Sequence, residues 1–229
     1  MVIDYRHPAY QMKWRAMAKN QYNGAYFYSK EISKYLIPNI KTNRNWITIN
    51  VKGFGASHSI VFVHNNLQVD HYDWLKQYKD LILIVGVPDT APKVKHLGKV
   101  IYLPLPIDVE EVLSHKREHD RDTAYAGRST KFRGCRVAGD RICDLPRNEM
   151  LEQMSHYKKI YAVGRTAIEA RLLGAQILAY DPRYPQPSIW RAISYEGACR
   201  LLQRAIDDVE AGASYVDCTK YDSYESFLV

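Results

Sequence analysis

Apolar residues along this chain gather into short blocks that differ in period. Leu81-Ile-Leu-Ile-Val85 is a near-continuous apolar run, as expected of a strand buried on both faces of a parallel sheet. Ser59-Ile-Val-Phe-Val63 and Val100-Ile-Tyr-Leu103 have the same character, and the β-branched content of Trp46-Ile-Thr-Ile-Asn-Val51 predicts another strand. Trp14, Met17 and Ala18 stand at helical spacing, so residues 8–35 read as helices. Tyr72, Leu75 and Tyr78 repeat that spacing within 70–79.

Near the midpoint, Pro104-Leu-Pro106-Ile-Asp108 predicts an extended connector, because each proline fixes its own φ and restricts the residue before it. Glu110 to Arg121 is densely charged and reads as a solvated helix or link. The alternation then restarts. Thr123–Ala126, Arg141–Leu145, Ile160–Val163 and Ile177–Tyr180 read as strands, and Asn148–His156 as a helix. Ile193, Ala198, Leu201, Leu202, Ala205, Ile206 and Val209 mark a helix from about 190 to 211, and the last dozen residues read as a tail packed on the body. Strands alternating with helices predict α/β layers with parallel sheets. The Pro-rich connector predicts a boundary, with one unit over 1–106 and a second over 107–229. Ligands in such folds bind beyond the carboxyl ends of the strands, so two facing units would enclose a central cleft.

With 229 residues, 46% hydrophobic and 25% charged, the chain can bury the core of one large domain or two small ones. No apolar run approaches the roughly 20 residues that a membrane span needs. The start, Met-Val-Ile-Asp-Tyr-Arg-His-Pro, lacks the basic residues and apolar stretch of a secretory signal. Cys135, Cys143, Cys199 and Cys218 show no CxxC spacing, so no metal site is expected and reduced cytoplasmic thiols are. The net charge of +7 suits DNA or RNA, and equally a phosphorylated small substrate. Tyr22, Tyr26, Tyr28 and Tyr35 crowd one segment. They can stack on exposed bases or pack amphipathically at a surface.

The most specific chemistry lies in two Gly-Arg pairs, each at a predicted strand end. Gly164-Arg-Thr-Ala-Ile-Glu169 joins a strand to a helix whose N-terminus offers unpaired N–H groups and a positive dipole end to an anion. Arg165 stands at that mouth. Thr166 can cap the helix or touch a phosphate, and Thr166 with Glu169 also fits a capping box. Gly127-Arg-Ser-Thr-Lys131 ends the other strand, and its cations suit a diphosphate. Glu169 can then hold ribose hydroxyls.

These motifs resemble the GT-B-fold glycosyltransferases, which bind nucleotide-sugars between two Rossmann-like halves. The likeness runs over about 97–181, through Val100-Ile-Tyr-Leu-Pro-Leu-Pro-Ile-Asp108, Ala126-Gly-Arg-Ser-Thr-Lys-Phe-Arg-Gly134 and Gly164-Arg-Thr-Ala-Ile-Glu-Ala170. It implies a GT-B-like pair of Rossmann-like parallel-sheet units, the first one reduced. It implies Gly127, Arg128 and Lys131 at the donor diphosphate, Gly164, Arg165 and Thr166 flanking it, and Glu169 on the ribose. The donor would be a nucleoside-diphosphate sugar, a UDP-sugar foremost, with no further cofactor and no metal. Many retaining members place a sugar-contacting Glu eight positions before the ribose Glu, and Tyr161 stands there.

In the first half, Gly53 and Gly55 would line the acceptor side, since Gly admits close approach to the backbone. His64 and Asn65 end a strand there. His58 and Asp70 are candidate bases for deprotonating an acceptor hydroxyl. Basic charge and the bacteriophage members that glycosylate hydroxymethylated bases suggest DNA as one acceptor. Two alternatives accompany this reading. One is a non-catalytic nucleotide- or nucleic-acid-binding protein of the same fold, the other an NDP-sugar epimerase or hydrolase.

Overall fold

The computed structural model describes residues 36–47, 59–63, 75–76, 79–182, 184, 186–189 and 191–224. In chain order they form β1 (Asn45–Ile47), β2 (Ser59–Val63), β3 (Leu81–Val85), α1 (Ala91–Val94), β4 (Lys99–Tyr102) and β5 (Leu105–Ile107). There follow α2 (Val109–Ser114), β6 (Arg121–Gly127), β7 (Asp140–Cys143), α3 (Arg147–Met154), β8 (Tyr157–Tyr161) and α4 (Arg165–Leu172). The described chain ends with β9 (Gln176–Leu178), β10 (Ala192–Ser194), α5 (Tyr195–Glu210) and β11 (Tyr215–Asp217). Each strand pairing among these residues is parallel, so the protein is α/β with parallel sheets.

The chain divides into two compact units, and not at a single point. Residues up to Leu103 form one unit together with Tyr195–Tyr224, and Pro104–Ser194 belong to the other. The expected C-terminal unit running from 107 to 229 is therefore corrected. Residues read as the end of the second unit return to the first, because β11 pairs with β4 and α5 packs against both.

The first unit carries a five-stranded sheet in the order β1-β2-β3-β4-β11. Every residue of β3 is buried, as its unbroken apolar run requires of a strand covered on both faces. Val61, Val63, Leu83, Val85 and Val100 join Ala91, Val94 and Leu97 in one core cluster. The buried residues Ala198, Leu201, Leu202, Ala205, Ile206 and Val209 form one stripe of α5, at the spacing of an amphipathic helix. Arg44, buried before β1, ties this unit together. It donates from Nη2 to Asp80 Oδ2 at 2.9 Å and to Glu210 Oε2 at 2.9 Å, and from Nη1 to the Asp80 carbonyl at 2.7 Å.

The second unit carries a four-stranded sheet in the order β7-β6-β8-β9 and a two-stranded pair, β10-β5. The Pro-rich connector is thus itself a strand, with Leu105, Pro106 and Ile107 in register with Ala192, Ile193 and Ser194. In the larger sheet, Ala124 and Ala126 of β6 are buried in register with Ile160 and Ile142. These small and branched residues form the face on which α3 and α4 pack. Alternation sends Thr123, Tyr125, Lys159 and Tyr161 to the opposite face. The chain steps from β6 to one side, to β7, and then crosses back to β8 on the other. The carboxyl ends of β6 and β8 therefore lie at a topological switch point, where open parallel sheets bind ligands.

Candidate functional site

The switch point brings together the two Gly-Arg segments. Gly127 ends β6 with φ +115°, and a side chain at that position would meet Thr166 Oγ1 at 3.4 Å. Gly164, with φ 64° and ψ −136°, is the N-cap of α4 and contributes no side-chain cap. That backbone conformation belongs to glycine, because a Cβ would be strained there. Arg165 is the first helical residue, and the first turn of α4 holds no acid. The capping box suggested by Thr166 and Glu169 does not form, since the helix starts two residues earlier than that motif requires.

After Gly127, the residues Ser129–Phe132 form one turn of 3-10 helix. Asp144, at the end of β7, fixes it by accepting from the Ser129 N–H at 3.0 Å, while its own N–H donates to the Gly127 carbonyl at 2.9 Å. Hydrogen bonds from Ser129 hold the Asp144 carboxyl below the usual carboxylate range, with Arg141 adding to the effect. This turn sets Lys131 into a half-buried position close to Arg128. Burial, with the Arg128 charge second, pushes the Lys131 ammonium down to about 8. An anion would relieve both causes.

Glu169 has other partners than those expected of a ribose ligand. It is 5% exposed. Its Oε1 accepts from Arg165 Nε at 2.8 Å and from Arg147 Nε at 3.3 Å, with Arg147 Nη2 at 3.1 Å. Arg147 also donates to Glu111 of α2. Sequence reasoning did not single out Arg147, Glu111 or Asp144. The Arg147 position, first in the helix after β7 as Arg165 is first in the helix after β8, was the available signal.

On the opposite face of the sheet, Phe132 stacks on Tyr180 with ring centroids 4.5 Å apart, and Tyr161 meets Tyr180 edge-on at 6.4 Å. Tyr161 is thus part of an aromatic cluster. A cavity of ≈ 740 Å³ on that face is lined by Thr123, Gly139, Asp140, Lys159 and Tyr161 among others, and by none of the predicted donor residues. Gly53, Gly55, His58, His64, Asn65 and Asp70, the expected acceptor-side and base residues, lie outside the described residues.

No group of His, Cys, Asp and Glu among the described residues is arranged to hold a metal ion. No described helix is long and apolar enough to cross a membrane. No protein-family model, no curated protein and no solved structure matches the chain.

Proposed function

We propose that the protein binds a nucleoside diphosphate at the carboxyl ends of β6 and β8, and that it is a GT-B-like glycosyltransferase using a nucleoside-diphosphate sugar. The observation that carries this reading is the close approach of the two Gly-Arg strand ends, where even a Cβ added to Gly127 would lie against Thr166. Around it stand Arg128 and Lys131 on one side and an acid-free helix start with Arg165 on the other. Cations at the start of a helix oppose its dipole, and an anion between them would offset both. Arg and Lys would take the diphosphate as forks and as a point charge. The sugar would pass from the donor, a UDP-sugar foremost, to an acceptor hydroxyl such as that of a hydroxylated DNA base. The net charge of +7 suits that acceptor.

A nucleotide-binding protein without transferase activity is the second reading. It is favoured by Tyr161, whose ring is engaged with Tyr180 and offers no carboxylate beside the donor site. Titration calorimetry with UDP, GDP, ADP and their sugars separates the outcomes, followed by incubation with labelled sugar nucleotides and hydroxymethylated DNA and mass analysis. Nucleotide binding with a sugar-sized mass gain on DNA is expected. Nucleotide binding without turnover on any acceptor leaves the second reading, and failure to bind any nucleotide sinks both.

A further inference from the structure

We infer that Glu169 is a positioning residue, and that the two guanidiniums it holds, Arg147 and Arg165, together face the phosphates of the ligand. The inference rests on the nucleotide reading and gives the carboxylate a different role from holding a ribose.

Glu169 is the one buried carboxylate among the described residues. A carboxylate is costly to bury unless cations and donors surround it. Here both cations converge on a single oxygen, Oε1, from Arg165 Nε at 2.8 Å and Arg147 Nη2 at 3.1 Å. Like charges so close repel each other unless anions sit among them. Glu169 and Glu111 supply two carboxylates to this network, and the turn that follows Gly127 carries Arg128 and Lys131 as further cations.

The sheet order explains why these two arginines meet. α3 follows β7 and α4 follows β8, and β6 lies between those strands. Arg147 and Arg165, each first in its helix, therefore approach the end of β6 from its two sides. Glu169, one turn inside α4, draws both towards the same point. A ribose hydroxyl at Oε1 would have to displace these donors, whereas a phosphate can be taken by the guanidiniums while Glu169 keeps them in place. Glu111 holds Arg147 from α2 in the same way.

The test uses the full chain and inorganic pyrophosphate, a probe that has phosphates and no ribose. Wild-type protein is expected to bind pyrophosphate by calorimetry. Glu169→Gln, Arg147→Ala and Arg165→Ala should each weaken it about tenfold, the scale of one charged hydrogen bond lost or misplaced. In an Arg147→Ala/Arg165→Ala background, adding Glu169→Gln should change nothing further, because its effect runs through the arginines. Loss of UDP affinity in Glu169→Gln with pyrophosphate affinity unchanged would mark a ribose contact and overturn the inference. An equal loss with and without the arginines would mark a merely structural role and overturn it too, as would wild-type binding of UDP without binding of pyrophosphate. If wild-type protein binds neither, the nucleotide reading itself has failed. Should Glu169→Gln not fold by circular dichroism, Arg147→Ala decides: an unchanged pyrophosphate affinity overturns the inference.

Discussion

At the end of β6, Lys131 keeps an ammonium group where burial disfavours it. Its titration point is pushed down to about 8, first by desolvation and then by Arg128. An unfolded lysine holds its proton up to about 10.4. Between these values the unfolded chain binds more protons than the folded one, so this residue makes stability rise with pH across that window. Below pH 8 its burial is a constant cost. Lys131→Met should therefore raise the stability of the free protein at pH 7 by on the order of 1–3 kcal/mol, and weaken pyrophosphate binding. In the wild type, anion binding should decline as pH rises through about 8. A variant with unchanged thermal stability and full anion affinity would show that the ammonium serves no anion. The Gly-Arg pairs were legible in the chain because glycine at a strand end has few other uses. The partners of Glu169 were not, since Arg147 is 22 residues away in sequence and reaches it only through the crossover between strands.

Among the elements, the link from the turn before β1 to the end of α5 is made by charge. Arg44 is 6% exposed, while Asp80 and Glu210 keep access to water. Removing the cation lets both carboxylates return to solvent, so the loss falls below that of a fully buried pair. Arg44→Met should cost about 2 kcal/mol, measured by urea unfolding. Arg44 holds the Glu210 carboxyl below its ordinary range. That contribution to stability is present above the ordinary Glu value of about 4.3 and is lost as pH falls through the depressed folded value. The wild-type protein should thus lose more stability on acidification than Arg44→Met does, and parallel acid titrations of the two would refute the link. The apolar strands β2, β3 and β4 were readable from composition alone. β5 was not, because prolines mark a strand as broken, and only the neighbouring β10 reveals its pairing. β11 is three residues long and carries no period to read.

For the whole molecule, the return of the chain after Ser194 is the organising fact. The first unit is completed by α5 and β11, which cover the sheet and supply its edge strand next to β4. Truncation after Ser194 should therefore expose Ile101 and its neighbours and unfold the first unit, while the four-stranded sheet of the second retains its protection. Hydrogen exchange tests this, with Leu81–Val85 expected to lose protection and Tyr157–Tyr161 to keep it; equal loss in both would show that the units unfold together. The amino-acid sequence by itself determined the elements whose signals are local. Unbroken apolar runs became buried parallel strands, helical spacing became α5, and each Gly-Arg pair became a turn at a strand end. Tertiary structure alone decided the rest. Strand order placed the two turns side by side, returned the last segment to the first unit, and turned Glu169 from an open carboxylate into the buried anchor of two arginines. The physical reason is range: period and turn chemistry act over a few residues, whereas pairing and charge burial depend on which distant segments the folded sheet brings into contact.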